Sequence, residues 1–147
     1  MKSLKSIALF SMLFIALTII ISCKKDCPVA TTSNIVPGLW IGTYTVDQVP
    51  GQGALYYSFI FKPDSKVLTE SKGGDGVTYY TQGTWSLNGS DLTCTYTSIN
   101  FPSANITQSA KFTFTASSDS LSAGTWKDVS GGGTYTGKFQ VMKKIKC

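Results

Sequence analysis

The sequence predicts an all-β domain, an eight-stranded antiparallel up-and-down barrel that follows a signal segment and a flexible tether. Three observations carry that expectation. From Leu39 onward Thr, Tyr, Phe, Val and Ile dominate, and apolar residues recur with a period of two. Gly, Asn-Gly or Pro-Asp interrupts the pattern every 8–14 residues, the spacing of strands joined by tight turns. No stretch beyond Leu39 carries a long apolar stripe at helical spacing. Short connections make successive strands neighbours, and closing such a meander removes both exposed edges.

The elements follow in chain order. Lys2 and Lys5 precede an apolar run from Ile7 to Ile21, the layout of a secretory signal. That run of about 15 residues is short for the roughly 20 that span a bilayer. It closes on Ile20-Ile21-Ser22-Cys23, which resembles the lipobox of bacterial lipoproteins. The resemblance implies that residues 1–22 are removed, that Cys23 carries a lipid, and that the chain is tethered to a membrane of the cell envelope, expected to be the outer membrane. Residues 23–37 are polar, rich in Thr and Ser and punctuated by prolines, and are expected to be the tether.

The first strand is expected over 39–47 and the second over 54–62, where Leu55, Tyr57, Phe59 and Phe61 share a face. A third is expected over 65–71. Strands over 77–87 and 91–98 form a hairpin whose turn is expected at Asn88-Gly89. That turn would pair Trp85 with Leu92 and Gly83 with Cys94, and would put Trp85, Leu92, Cys94 and Tyr96 on one face. The sixth strand, 108–117, contributes Phe112 and Phe114. In the seventh, 120–128, Leu121 and Trp126 have opposite parity, so either a bulge near Gly124 or an outward Trp126 is required. The eighth is expected over 133–143. Gly73-Gly74-Asp75-Gly76 and Gly131-Gly132-Gly133 are turn glycines, because a phosphate-cradling loop would lead into a helix and each of these leads into a strand.

Composition narrows the function. The chain has 13 basic residues, all Lys, against 8 acidic ones, and no His. Scattered lysines without Arg argue against nucleic-acid binding. The lack of imidazole removes the usual general base and the usual zinc ligand. The carboxylates fall at turns, as Asp64 after Pro63 and Asp75 before Gly76 do. No nucleophile, base and orienting group assemble. No catalytic residue, metal or cofactor is expected.

Gly38-Leu39-Trp40 opens the first strand, and Gly83-Thr84-Trp85 and Gly124-Thr125-Trp126 repeat the pattern. This entry resembles the first signature of the lipocalins, and residues 36–146 are similar to the small lipocalin-like lipoproteins of Bacteroidetes-type bacteria. The resemblance implies that Trp40 plugs a closed pole, covered by a basic residue after the last strand, for which Lys143 and Lys144 are available. Any ligand would then enter from the other pole. Trp85 is expected inward from its hairpin register.

Three thiols remain after lipidation. Cys94 alternates with Leu92 and Tyr96 and is expected to be a buried free thiol. The ends of an up-and-down barrel meet at one pole, so Cys27 and Cys147 are expected to form a disulfide; the alternative is three free thiols.

Two functions are open. The first is an interaction or structural module of the envelope with a protein partner, using the outward Leu39, Ile41, Tyr56, Ile60 and Tyr80. The second, implied by the resemblance, is a barrel that binds a small apolar molecule, with Tyr57, Phe59, Trp85, Tyr96, Phe112 and Phe114 as candidate contacts. Eight-stranded barrels are about as wide as their side chains can fill, so a cavity is expected to be small.

Overall fold

The alternating segments pair into a ring. The computed structural model describes residues 36–100, 105–131 and 133–146. The strands are β1 (Gly38–Val46), β2 (Leu55–Phe61), β3 (Lys66–Lys72), β4 (Thr78–Asn88), β5 (Asp91–Ser98), β6 (Thr107–Thr115), β7 (Ser120–Ser130), β8 (Thr136–Phe139) and β9 (Met142–Lys144). Each strand pairs antiparallel with the next along the chain from β1 to β8. β1 bonds β2 on one side and both β8 and β9 on the other. The ring therefore closes as an eight-stranded up-and-down barrel, with β8 and β9 as two halves of one stave.

The expected single strand over 133–143 is thus corrected. Phe139 and Met142 are both buried, yet they lie three residues apart. Two-residue alternation cannot point both inward, so the strand slips at Gln140-Val141, where both side chains are exposed.

β7 resolves its parity conflict by a bulge. Lys111 pairs with Thr125 and Thr113 with Ser122, so Phe112 stands opposite both Ala123 and Gly124. Ala123 takes a left-handed φ of 50° there. The extra residue lets Leu121 and Trp126 both face inward.

The β4–β5 hairpin differs from its expected register by two residues. Leu87 pairs with Leu92, Trp85 with Cys94 and Gly83 with Tyr96. The loop is Gly89-Ser90, and Gly89 takes φ 62°. Glycine at the first central position is what a type II′ turn requires, and the right-handed strand twist favours that turn. A shift of two preserves the faces, so Leu92, Cys94 and Tyr96 remain buried and Trp85 half-buried on the inner side.

Phe59 sits at the centre of the core. It stacks on Phe61 at 5.4 Å and meets Tyr96, Phe112 and Phe139 edge-on at 5.9, 5.4 and 5.4 Å. Such offset and edge arrangements suit the ring quadrupoles. One pole is closed. Trp40 is fully buried there, 6.0 Å from Phe114, and its Nε1 donates to the Val36 carbonyl at 2.7 Å. The Lys144 ammonium lies 5.8 Å from the Trp40 ring centroid. Of the two lysines available to cover Trp40, Lys144 does so.

Outside, Leu39 pairs with Ile60 and Ile60 with Leu68, a short apolar row. Tyr56 stands beside Thr43 and Tyr80 beside Glu70, so neither extends it.

Candidate ligand-binding site

The pole opposite Trp40 is open, and a cavity of about 590 Å³ enters the barrel there. Val49, Gly74, Ile106 and Tyr135, from the β1–β2, β3–β4, β5–β6 and β7–β8 connections, line the mouth. Three aromatic rings form its inner wall. Tyr44 meets Tyr57 edge-on at 5.4 Å and Trp126 at 6.0 Å. Trp126 is fixed by its Nε1, which donates to the Thr45 carbonyl at 3.1 Å.

Hydroxyls cross the wall beside the rings. Tyr57 donates to Thr69 Oγ1 at 3.2 Å, and Thr69 shares a 2.7 Å hydrogen bond with Thr81. The cavity lining includes Tyr57 and Thr81 from this chain. Burial pushes the Tyr57 hydroxyl far above the ordinary tyrosine range. Burial does the same to Tyr96, helped by the neighbouring Tyr57 and by the Asp128 charge. Both therefore stay protonated. The Tyr96 hydroxyl lies beside that of Tyr57 but makes no hydrogen bond of good geometry, and Ser98 Oγ on the cavity wall is likewise buried without a partner.

Two carboxylates face this space. Asp128 follows Trp126 by two positions on β7, hence on the inner face, and Gln108 Nε2 donates to its Oδ1 at 2.8 Å. Asp75 sits at the rim, where the Tyr79 hydroxyl donates to Oδ2 at 2.6 Å and the Val77 N–H to Oδ1 at 3.0 Å. The Tyr79 hydroxyl, then the Val77 amide, holds Asp75 below the usual carboxylate range. Burial raises Tyr44, and the Asp75 charge adds to that rise.

The structure divides the six candidate contact residues. Tyr57 lines the cavity. Phe59, Tyr96, Phe112 and Phe114 are buried in the core beneath it and do not line it. Trp85 belongs to the closed half, against Phe61 at 5.7 Å, with its Nε1 donating to the Lys62 carbonyl at 3.0 Å. Sequence reasoning missed Tyr44, Trp126, Gln108 and Asp128 as wall residues. One signal was present: Asp128 shares the parity of Trp126, so an inward Trp126 brings Asp128 inside. Turn chemistry does hold for Asp64 and Asp75, which accept from backbone N–H groups two residues ahead.

Cys94 is buried and free. Cys23, Cys27 and Cys147 lie outside the described residues. Among the described residues no group of three His, Cys, Asp or Glu could hold a metal ion.

No protein-family model matches the chain, and comparison with curated proteins and with solved structures gives no match.

Proposed function

We propose that this protein is a binding barrel that takes a small, largely apolar molecule into its open pole, held at the cell envelope by a lipid on Cys23. The observation that carries the binding reading is the cavity of about 590 Å³ on the side away from the Trp40 plug. Its size falls in the range of small-molecule sites, and aromatic walls with a few fixed polar groups are the usual composition of such sites. The anchor rests on the signal-like segment and its terminal Cys. The Cys27–Cys147 disulfide belongs to the same reading and rests on the sequence, since a location outside the cytoplasm permits it.

The test is native mass spectrometry of the protein extracted from membranes, followed by titration of a naphthalene-based apolar fluorophore. Binding reading holds if a co-purified small molecule or saturable fluorophore binding is seen, and if Tyr57→Ala alters that binding while the protein stays folded. A protein with no bound molecule and no saturable site would remove it. A second reading, docking of an envelope protein, is favoured by the outer row of Leu39, Ile60 and Leu68. Ile60→Asp would abolish that docking and leave the cavity untouched.

A further inference from the structure

We propose that the open pole selects a cation, an amine carried on an aromatic or aliphatic body. This rests on the binding reading above and names the class of ligand. Two carboxylates, Asp75 and Asp128, line the cavity, and among the described residues none of the lining is a Lys. That is the reverse of the chain as a whole, in which 13 basic residues outnumber 8 acidic ones. The strand pleat explains the sorting. Lys66, Lys72, Lys111, Lys127 and Lys138 occupy outward positions of β3, β6, β7 and β8, alternating with the inward residues. Lys144 and the Lys146–Asp119 ion pair stand at the closed pole.

The two carboxylates act at different depths. Asp128 lies on the inner wall of β7, oriented by Gln108, so an ammonium entering the barrel meets an acceptor already fixed in place. Asp75 stands at the rim on the β3–β4 connection, where it draws cations toward the mouth. Both fields reach inside: the Asp75 charge raises Tyr44, second to burial, and the Asp128 charge raises Tyr96, as the smallest contribution after burial, Tyr57 and Cys94. The buried Ser98 Oγ, without a partner, offers a further acceptor on the same wall. Tyr44 and Trp126, both on the lining, provide apolar and aromatic surface for the body of such a ligand. A carboxylate ligand would meet two like charges with no compensating base on the lining.

The experiment titrates the full chain, at low ionic strength, with three naphthalene probes of one shape: naphthalen-2-ylmethylamine, the matching alcohol and the matching carboxylate. The expected order is amine, alcohol, carboxylate, with the amine at least about fivefold tighter than the alcohol. Asp128→Asn should weaken the amine about five- to tenfold and leave the alcohol within about twofold. Asp75→Asn, at an exposed rim position where the amide oxygen can still accept from the Val77 N–H, should reduce the amine preference by a smaller factor that disappears at high salt. An alcohol or carboxylate that binds as tightly as the amine would overturn the charge selectivity and leave the binding reading standing. An amine preference that survives in the double variant would also overturn it. Failure of all three probes to bind would remove the binding reading itself.

Discussion

The Lys144 ammonium lies 5.8 Å from the centroid of the Trp40 ring, which the last strand thereby seals against the first. Gly38 makes the approach possible. It takes φ 138°, and a Cβ at that position would come within 2.7 Å of the Lys144 side chain. Burial holds the Lys144 ammonium below the ordinary lysine range, and the charge of Asp119 partly offsets this. Lys144→Met keeps the aliphatic cover and removes both the cation–π contact, worth about 0.5–1 kcal/mol, and the burial penalty on the charge, so it should leave stability nearly unchanged. Lys144→Ala should cost more and shift tryptophan emission to the red as water reaches the ring. Denaturant unfolding with fluorescence detection separates the two.

Trp40→Ala should destabilise by about 3–5 kcal/mol, because a fully buried ring leaves a cavity in the plug. Trp40→Phe should cost less. It fills most of the space but leaves the Val36 carbonyl without its 2.7 Å donor. Neither should change the affinity of a ligand in the open pole, which lies beyond the Phe59 layer. Equilibrium unfolding and a binding titration on the same samples check both statements.

Ala123 is a residue whose replacement should stabilise. Its φ of 50° is costly for any side chain with a Cβ, and it is exposed on the bulge. Ala123→Gly should raise stability by up to about 1 kcal/mol, the relief of left-handed strain less the entropy of a freer unfolded chain. A loss of stability would show that the Ala123 methyl packs in the folded state.

Burial pushes the Cys94 thiol up. The sign follows directly: the unfolded chain loses this proton near pH 8.5 while the folded chain retains it. The contribution is therefore fully present below about pH 8.5 and is lost as pH rises from there toward the folded value, at no more than about 1.4 kcal/mol per pH unit. Cys94→Ala should flatten the first part of the alkaline slope seen in thermal melts. In peptide-resolved alkylation at pH 8, Cys94 should react only after unfolding, while Cys27 and Cys147 should be recovered joined to each other. A bridge that contains Cys94 would contradict the free buried thiol.

Much of the barrel was legible because parity survives the chain's passage into a sheet. Tyr57, Phe59 and Phe61 are buried and Ile60 is exposed, as alternation requires, and the conflict between Leu121 and Trp126 pointed to a bulge that exists. What parity cannot see is a shift by two, which is why the Asn88–Asp91 turn was misplaced by one residue while its faces were right. The cavity was less legible for a different reason. Its wall joins Tyr44 of β1, Gln108 of β6, Trp126 and Asp128 of β7 and Asp75 of the β3–β4 connection. Nothing local to any of these segments states that the others are near. The aromatics with the strongest periodic signal, Phe59 and Phe112, went instead to the layer that fills the barrel below.

The pairing of Trp40 with Lys144 and of Ile41 with Lys143 also sets an order of assembly. β8 already joins β1 over Tyr44–Val46, so the seam is completed over its closed-pole half, beside Trp40 and Ile41, only once Met142–Lys144 have docked. Until then β1 and β7 each present an unsatisfied row of backbone groups, the state in which strands pair with other chains. A chain cut after Phe139 would keep nearly all of its hydrophobic centre and yet lose the latch, and its hazard would be intermolecular pairing rather than simple unfolding. Non-local closure of this kind is slow. Docking of β9, rather than the aromatic centre, decides when this barrel loses its last open edge.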